Sequence, residues 1–274
     1  MASHPSHNLI ALVTGASSGI GKSIALALLK ERHVVYGAAR RLEQMEEIIS
    51  AGGHVLGMDI TDGASVAGGI DQLLAEQGRV DILINAAGYG QYGAIEDIPI
   101  EDAHRQLDVN LFGCARLVQK VLPHMRAQSF GKIVNVTSVG GKIYTPMGGW
   151  YHASKFAMEG YSDVLRLEVK PFGIDVIVIE PGIIATEWGG IAVEEAERLS
   201  GKGVYRELLA KYLKVQTSSK GSSPEVIARL VVKALNASRP QARYHEGQMA
   251  GPILFLRWLL SDRMFDRLVM ASFR

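Results

Sequence analysis

The sequence predicts an α/β fold: a doubly wound parallel sheet of about seven strands with helices on both faces. Three observations carry that expectation. Short apolar runs alternate with longer segments of helical spacing from the first residues onward. The runs are too apolar to face water on either side, which is the mark of a parallel sheet. The first run is followed by a glycine-rich turn that opens directly into a helical pattern.

The elements follow in order. Strands are expected at Leu9–Val13, His33–Ala39, His54–Met58, Val80–Ile84, Lys132–Thr137 and Ile174–Ile179, with a weaker one near Ala242–His245. Helices are expected at Ile20–Glu31, Arg41–Ala51, Ala64–Gln77, Glu101–Ala127 and Tyr151–Val169. Repeated strand–helix units require right-handed crossovers, and no repeat or linker interrupts them. Residues 1–274 therefore read as a single domain. Regularity fails between Gly182 and Ser223, where an excursion beyond a strand's carboxyl end reads as a mobile lid over a ligand. Residues 252–273 read as an amphipathic helix that packs on the domain, covers a pocket, caps a partner subunit or lies on a membrane surface.

Composition sets bounds on function. The chain has 274 residues, 47% hydrophobic and 21% charged, with formal net charge +1. No basic run exceeds Arg40-Arg41, so nucleic acid is not an expected partner. Cys114 is the sole cysteine, which excludes an internal disulfide and a cysteine-built metal site. The eight histidines show no metal-site spacing, and no metal is expected. Residues 1–7 lack the basic start and apolar run of a signal peptide. No stretch of about 18 apolar residues is free of charge, so no spanning helix is expected and the cytoplasm is the expected compartment.

The turn Thr14-Gly15-Ala16-Ser17-Ser18-Gly19-Ile20-Gly21 lies between strand and helix. Gly15 allows a tight turn, Gly19 a close approach of pyrophosphate to backbone, and Gly21 the packing of helix on strand. The helix start offers N–H groups and partial positive charge to phosphate. A Rossmann-type dinucleotide site follows, with Gly15, Ser17, Ser18, Gly19 and Ile20 as candidate contacts. The second strand ends without an acid at Ala38 or Ala39, and Arg40 and Arg41 follow. An acid there would accept bonds from a ribose, whereas guanidinium suits a 2′-phosphate, so NADP(H) is the expected cofactor.

Tyr151 and Lys155 are four residues apart on one helix face, and Ser138 lies thirteen residues before Tyr151 at a strand end. A phenol titrates near ~10, and a cation beside it should bring that down toward neutrality. Ser138 can then hold a substrate oxygen while Tyr151 passes it a proton.

Together these segments resemble the short-chain dehydrogenase/reductase superfamily over nearly the whole chain. Within it, the Tyr151-His152-Ala153-Ser154-Lys155 segment and the long carboxyl-terminal segment are most similar to bacterial 17-beta-hydroxysteroid dehydrogenase-like oxidoreductases. The resemblance implies a catalytic tetrad of Asn110, Ser138, Tyr151 and Lys155, with Asn110 holding a water that links Lys155 to solvent, and it implies that Tyr151 and Lys155 also bind the cofactor, Lys155 through the nicotinamide ribose. It implies that Asn85, Ala86 and Gly88 border the cofactor and that Asp59, with Ile60 beside it, meets the adenine. Pro181 and Gly182, with Ile184 and Thr186 beyond, resemble the segment that contacts the nicotinamide. It further implies a homodimer or homotetramer paired through the helices at 101–127 and 151–169.

The expected activity is NADPH-dependent reduction of a ketone, reversible as alcohol oxidation, with Tyr151 as general acid/base. The loop residues Tyr89, Gln91, Tyr92, Tyr144, Trp150, Ile184 and Trp188 are expected to wall the site and to favour an apolar ketone or alcohol. A nucleotide-sensing protein on the same fold is the alternative, disfavoured by the intact tetrad. An enoyl reductase is a third, disfavoured by the four-residue spacing of tyrosine and lysine.

Overall fold

Seven short runs rich in valine, isoleucine and leucine form one parallel sheet in the order β3-β2-β1-β4-β5-β6-β7 in a computed structural model of the chain. The structure describes residues 8–186 and 188–273, and of Trp188, Gly189 and Ile191 the helical backbone alone. Residues 1–7, which precede the first expected strand, lie outside the described residues. The strands are β1 (Ile10–Thr14), β2 (Val34–Ala39), β3 (His54–Gly57), β4 (Ile82–Asn85), β5 (Gly131–Val136), β6 (Ile174–Pro181) and β7 (Arg243–Glu246). Every residue of β1 and β4 is buried, as sheet centres covered on both faces require.

Helices α1 (Gly19–Lys30), α2 (Glu46–Ser50) and α9 (Glu225–Asn236) cover one face, where Ile24, Leu28, Ile48, Ile227 and Val231 pack against β1, β4, β5 and β6. Helices α3 (Gly63–Gln77), α5 (Cys114–Ala127) and α6 (Gly149–Val169) cover the other through Ile70, Leu117, Val121 and Leu165. The doubly wound arrangement is as expected, with strand ends shifted by at most two residues. Helix α9 is an element that the sequence reading did not assign, although Ile227, Leu230, Val231 and Ala234 keep helical spacing.

Three expected elements differ in detail. The pattern at 41–51 folds as a 3-10 turn over Leu42–Met45 followed by α2. The helix expected at 101–127 is interrupted: α4 (Ile100–Leu107) passes into a π-helical turn at Asp108–Gly113 before α5. The amphipathic segment at 252–273 is two helices, α10 (Ala250–Leu259) and α11 (Asp262–Ala271). Leu260 and Ser261 are extended between them, with Ser261 at the cap position of α11. The excursion after Gly182 carries α7 (Trp188–Ser200) and α8 (Arg206–Ser218).

Register brings the site together. Val13 pairs with Gly37 on one side and Ile84 on the other, so β1, β2 and β4 end level. Asn85 pairs with Asn135 and Val136 with Ile179, which brings the loops after β4, β5 and β6 to the same carboxyl edge. The order reverses between β1 and β4, and ligands of open α/β sheets lie at such a switch point.

Candidate active site

The glycine turn after β1 is closed on its own backbone. Gly15 has φ +68°, and a β-carbon there would lie 2.8 Å from Ala87 Cα. Gly19, at φ +53°, faces the Thr186 methyl, so the turn and the segment after β6 meet. Thr14 fastens the turn to the next loop: its hydroxyl donates to Ile84 O and accepts from the N–H groups of Ala86 and Ala87, each at 3.2 Å. Ser18 occupies the cap position of α1 without a side-chain bond to the helix, leaving first-turn N–H groups for an anion. Backbone this close, with no side chain in the cradle, fits a dinucleotide pyrophosphate.

Asn85 turns inward. Its amide donates to Asn135 Oδ1 at 2.9 Å, and Asn135 donates to Ser162, so the side chain ties β4 to β5 and α6. Ala86 is half-buried and Gly88 exposed at the sheet edge. A β-carbon on Gly88 would lie 3.1 Å from Asn110 Oδ1 and 3.7 Å from Lys155 Nζ.

A cleft of about 450 Å³ opens beyond β2 and β3, lined by Arg40, Asp59, Thr61, Arg105, Val109 and Phe112 among others. Burial works against the Asp59 charge, yet the Thr61 N–H and hydroxyl, with Arg40 and Arg105 nearby, hold its carboxyl below the ordinary range. Ile60 is buried against Gly113. Of the two expected arginines, Arg40 lines this cleft; Arg41, at the start of the 3-10 turn, is not among the lining residues.

Tyr151 and Lys155 are one turn apart on α6, with Lys155 Nζ 6.0 Å from the Tyr151 ring centre. Ser138 caps the short turn after β5, accepting from Gly140 N–H at 2.9 Å, and its hydroxyl is also hydrogen-bonded to Tyr151. Lys155 is buried and donates to Val136 O at 3.1 Å. The expectation that Lys155 lowers the Tyr151 pKa is not met in this structure. Burial pushes the phenol above the tyrosine range, and the Ser138 bond opposes it only in part. Burial also lowers the Lys155 pKa, and its ammonium is directed at a carbonyl.

Asn110 sits in the π-helical turn, a distortion frequent at functional sites. Its Oδ1 accepts from Tyr89 N–H at 3.0 Å, while its amide donates to Tyr89 O and Ser154 Oγ. Both amide hydrogens are thus engaged. A water there must use the second lone pair of Oδ1 or the backbone carbonyl.

Residues 9–196 match the family described as short chain dehydrogenase. The chain belongs to it. The 3-ketodihydrosphingosine reductase of Bacteroides thetaiotaomicron is 36% identical over 93% of this chain and 94% of that one. An NADPH-dependent 3-dehydrocapnine reductase of Ornithobacterium rhinotracheale is 33% identical over 94% and 95%. A short-chain dehydrogenase structure from Streptomyces avermitilis superposes with a TM-score of 0.83 at 29% identity, covering 96% of each chain. As a member of this family the protein is an oxidoreductase.

In this short-chain dehydrogenase, His152 and Glu159 bond to the segments on either side of Ser138. His152 is buried; its Nδ1 meets Gly140 O at 2.9 Å and its Nε2 receives Thr145 N–H at 3.1 Å. Those partners require a neutral ring with the proton on Nδ1. Burial keeps its pKa below the usual range, opposed by the Gly140 bond. Glu159, one turn beyond Lys155, accepts from Thr137 at 2.6 Å and pairs with Lys142 and Arg243. Thr137 and Lys142 flank the Ser138 turn. Glu180 is buried beside this group, and burial, followed by the Glu159 charge, pushes it up to about 7. Sequence spacing gives His152 and Glu159 no place around Ser138. Burial and partners on other elements, which spacing does not encode, give both residues their positions.

The wall expected from the loops is partly assembled. Tyr92, Tyr144 and Tyr151 join Met147, Leu209, Tyr212, Phe265, Val269 and Phe273 in one apolar cluster. Rings follow one another from Tyr151 to Tyr92 at 5.5 Å, Tyr92 to Tyr212 at 5.6 Å and Tyr212 to Phe273 at 6.0 Å. Tyr212 of α8 and Phe273 are thus linked to Tyr151 by way of Tyr92. Gln91 is held by Gln106, Tyr89 meets Asn110 through its backbone, and Trp150 Nε1 is buried with no hydrogen-bond partner among the described residues. Ile184 packs on the α1–α9 side, Pro181 ends β6, and Gly182 lies against Gln248 O. The Trp188 side chain lies outside the described residues.

Proposed function

We propose that the protein is an NADPH-dependent carbonyl reductase for apolar ketones, running in reverse as a secondary alcohol dehydrogenase. The observation that carries the reading is the hydrogen bond between Ser138 and Tyr151, with Lys155 one turn away on α6. Ser138 holds the carbonyl oxygen, and Tyr151 donates its proton as negative charge develops there. A phenol in or above the ordinary tyrosine range is protonated at neutral pH, which is the state that reduction requires. Lys155 is proposed to contact the nicotinamide ribose, and Asn110, through Tyr89 and Ser154, fixes the helix turn beside it. NADPH, when bound, supplies the hydride.

Gly15, Ser17, Ser18, Gly19 and Ile20 are proposed to hold the pyrophosphate, Asp59 and Ile60 to border the adenine, and Arg40 the 2′-phosphate. Ala86, Gly88, Pro181, Gly182, Ile184 and Thr186 are proposed to line the nicotinamide end. The NADPH dependence printed for the 3-dehydrocapnine reductase supports the cofactor choice. Two relatives named as reductases of 3-keto and 3-dehydro compounds support the direction. The aromatic cluster around Tyr151 supports an apolar substrate.

Residues 1–274 are proposed to act as one catalytic domain in the cytoplasm. A homodimer or homotetramer through α5 and α6 is supported by exposed Phe156, Val164 and Leu167 on α6. No helix among the described residues is long and apolar enough to cross a membrane. Consumption of NADPH against a panel of ketones tests the reading.

A further inference from the structure

The carboxyl-terminal helices have two different sides. Inward, Ile253 of α10, Leu260 of the link, and Phe265 and Val269 of α11 pack into the cluster that contains Tyr151. Outward, α10 shows Phe255, Trp258 and Leu259, spaced i, i+3, i+4 on one face. These are 57%, 79% and 59% exposed, and the two rings lie 6.0 Å apart. Three adjoining large apolar residues turned to solvent on one helix face are not explained by the fold of this chain.

Charge along the next helix is sorted. Asp262 pairs with Arg257 at 2.7 Å, and Asp266 accepts from Tyr144 at 2.9 Å. Arg257 in turn lies over the Tyr144 and Phe265 rings at 5.7 and 5.4 Å. Both acids of α11 are thereby engaged with the protein. Arg263 and Arg267, spaced i, i+4, are exposed and form no ion pair or hydrogen bond among the described residues. The outward side of α10 is therefore an aromatic and aliphatic face, and the helix that follows carries two exposed guanidinium groups outside any ion pair among the described residues.

We propose that this surface docks the enzyme on an anionic lipid bilayer, with Phe255, Trp258 and Leu259 in the interface and Arg263 and Arg267 on the headgroups. Tryptophan and phenylalanine beside arginine suit the boundary between acyl chains and phosphate. Basic residues near an anionic surface each add to the attraction, and salt weakens it. A second copy of the chain fits less well. With aromatic side chains of about 150–250 Å² each, the patch offers on the order of half the ~800 Å² that each partner of a stable dimer buries. Docking here would hold the cluster around Tyr151 next to the membrane, within reach of ketones that partition into it. The docking itself does not depend on the reductase reading.

The test is flotation of the full-length protein with phosphatidylcholine vesicles, with and without phosphatidylglycerol, and with the melting temperature as the control for folding. Binding to the anionic vesicles should fall as salt rises. Phe255→Ser with Trp258→Ser should lower partitioning at least about ten-fold at unchanged melting temperature. Arg263→Glu with Arg267→Glu should lower it about ten-fold on anionic vesicles alone. Failure of the unmutated protein to float, or equal flotation of folded variants, would overturn the proposal. So would a concentration-dependent oligomer that Trp258→Ser dissociates while vesicle binding persists.

Discussion

The Tyr92 ring lies 5.5 Å from the Tyr151 ring at an interplanar angle of 32°, and it passes that contact on to Tyr212 and Phe273. The catalytic phenol of the proposed mechanism is thus packed, through two other tyrosines, against the carboxyl terminus. That chain of rings also explains why burial outweighs the Ser138 bond at Tyr151.

Phe265 is fully buried between α11 and Tyr144, so Phe265→Ala should destabilise the protein by about 3–5 kcal/mol. Truncation after Gly251 should also flatten the rise in kcat/KM with ketone size, because each buried methylene contributes about 0.8 kcal/mol. Denaturant unfolding and a homologous series of aryl ketones measure the two effects. An unchanged size dependence in the truncated protein would show that α11 is packing alone.

Tyr151→Phe should remove about 10²–10⁴-fold of turnover with NADPH affinity nearly unchanged, since it deletes only the proton donor. Lys155→Ala should impair both turnover and cofactor affinity. Steady-state kinetics beside fluorescence titration with NADPH separate the two variants. More than a tenth of the activity remaining in Tyr151→Phe would remove it from the mechanism.

Sequence alone made the sheet, the glycine turn and the meeting of Ser138, Tyr151 and Lys155 legible, because each depends on local spacing: apolar runs, three glycines, a tyrosine and lysine one turn apart. Arg40 and Arg41 looked equivalent as neighbours, and only the backbone turn at Leu42–Met45 separates them. The interruption at Asp108–Gly113 and the break at Leu260–Ser261 were not legible. Helical spacing continues across both, and tertiary packing decides where the hydrogen-bond ladder shifts. The direction of the Tyr151 shift was missed for a related reason. Proximity to Lys155 follows from spacing, whereas burial by Tyr92 comes from a distant loop.

Arg40→Asp should erase or invert the preference for NADPH, mainly through affinity. Loss of charge-assisted bonds of about 1.5–3 kcal/mol predicts roughly ten- to a hundred-fold weaker binding. Arg41→Ala should have a much smaller effect, because Arg41 does not line the cleft. Titrating both variants with NADPH and NADH checks this, and equal losses from the two arginines would contradict the assignment.

His152→Phe should lower kcat more than it raises KM, because it frees the Gly140 carbonyl and the Thr145 N–H that hold the Ser138 turn. A stability cost of about 1–3 kcal/mol is expected for the unpaired groups. The His152 pKa is depressed on folding, so the unfolded chain binds the proton more readily. The contribution of His152 is then present above about pH 6.5 and is lost as pH falls through the folded value. Melting curves against pH for the unmutated protein and the variant should converge on the acid side. Parallel curves would show that His152 titrates with no effect on folding.

The most direct measurement is the rate of NADPH and NADH oxidation by the unmutated protein against ketones graded from small and polar to bulky and apolar. The proposed function predicts turnover above the buffer rate, higher efficiency with NADPH, and efficiency that climbs with apolar area. No turnover of any ketone with either cofactor, at concentrations where both bind, would contradict it.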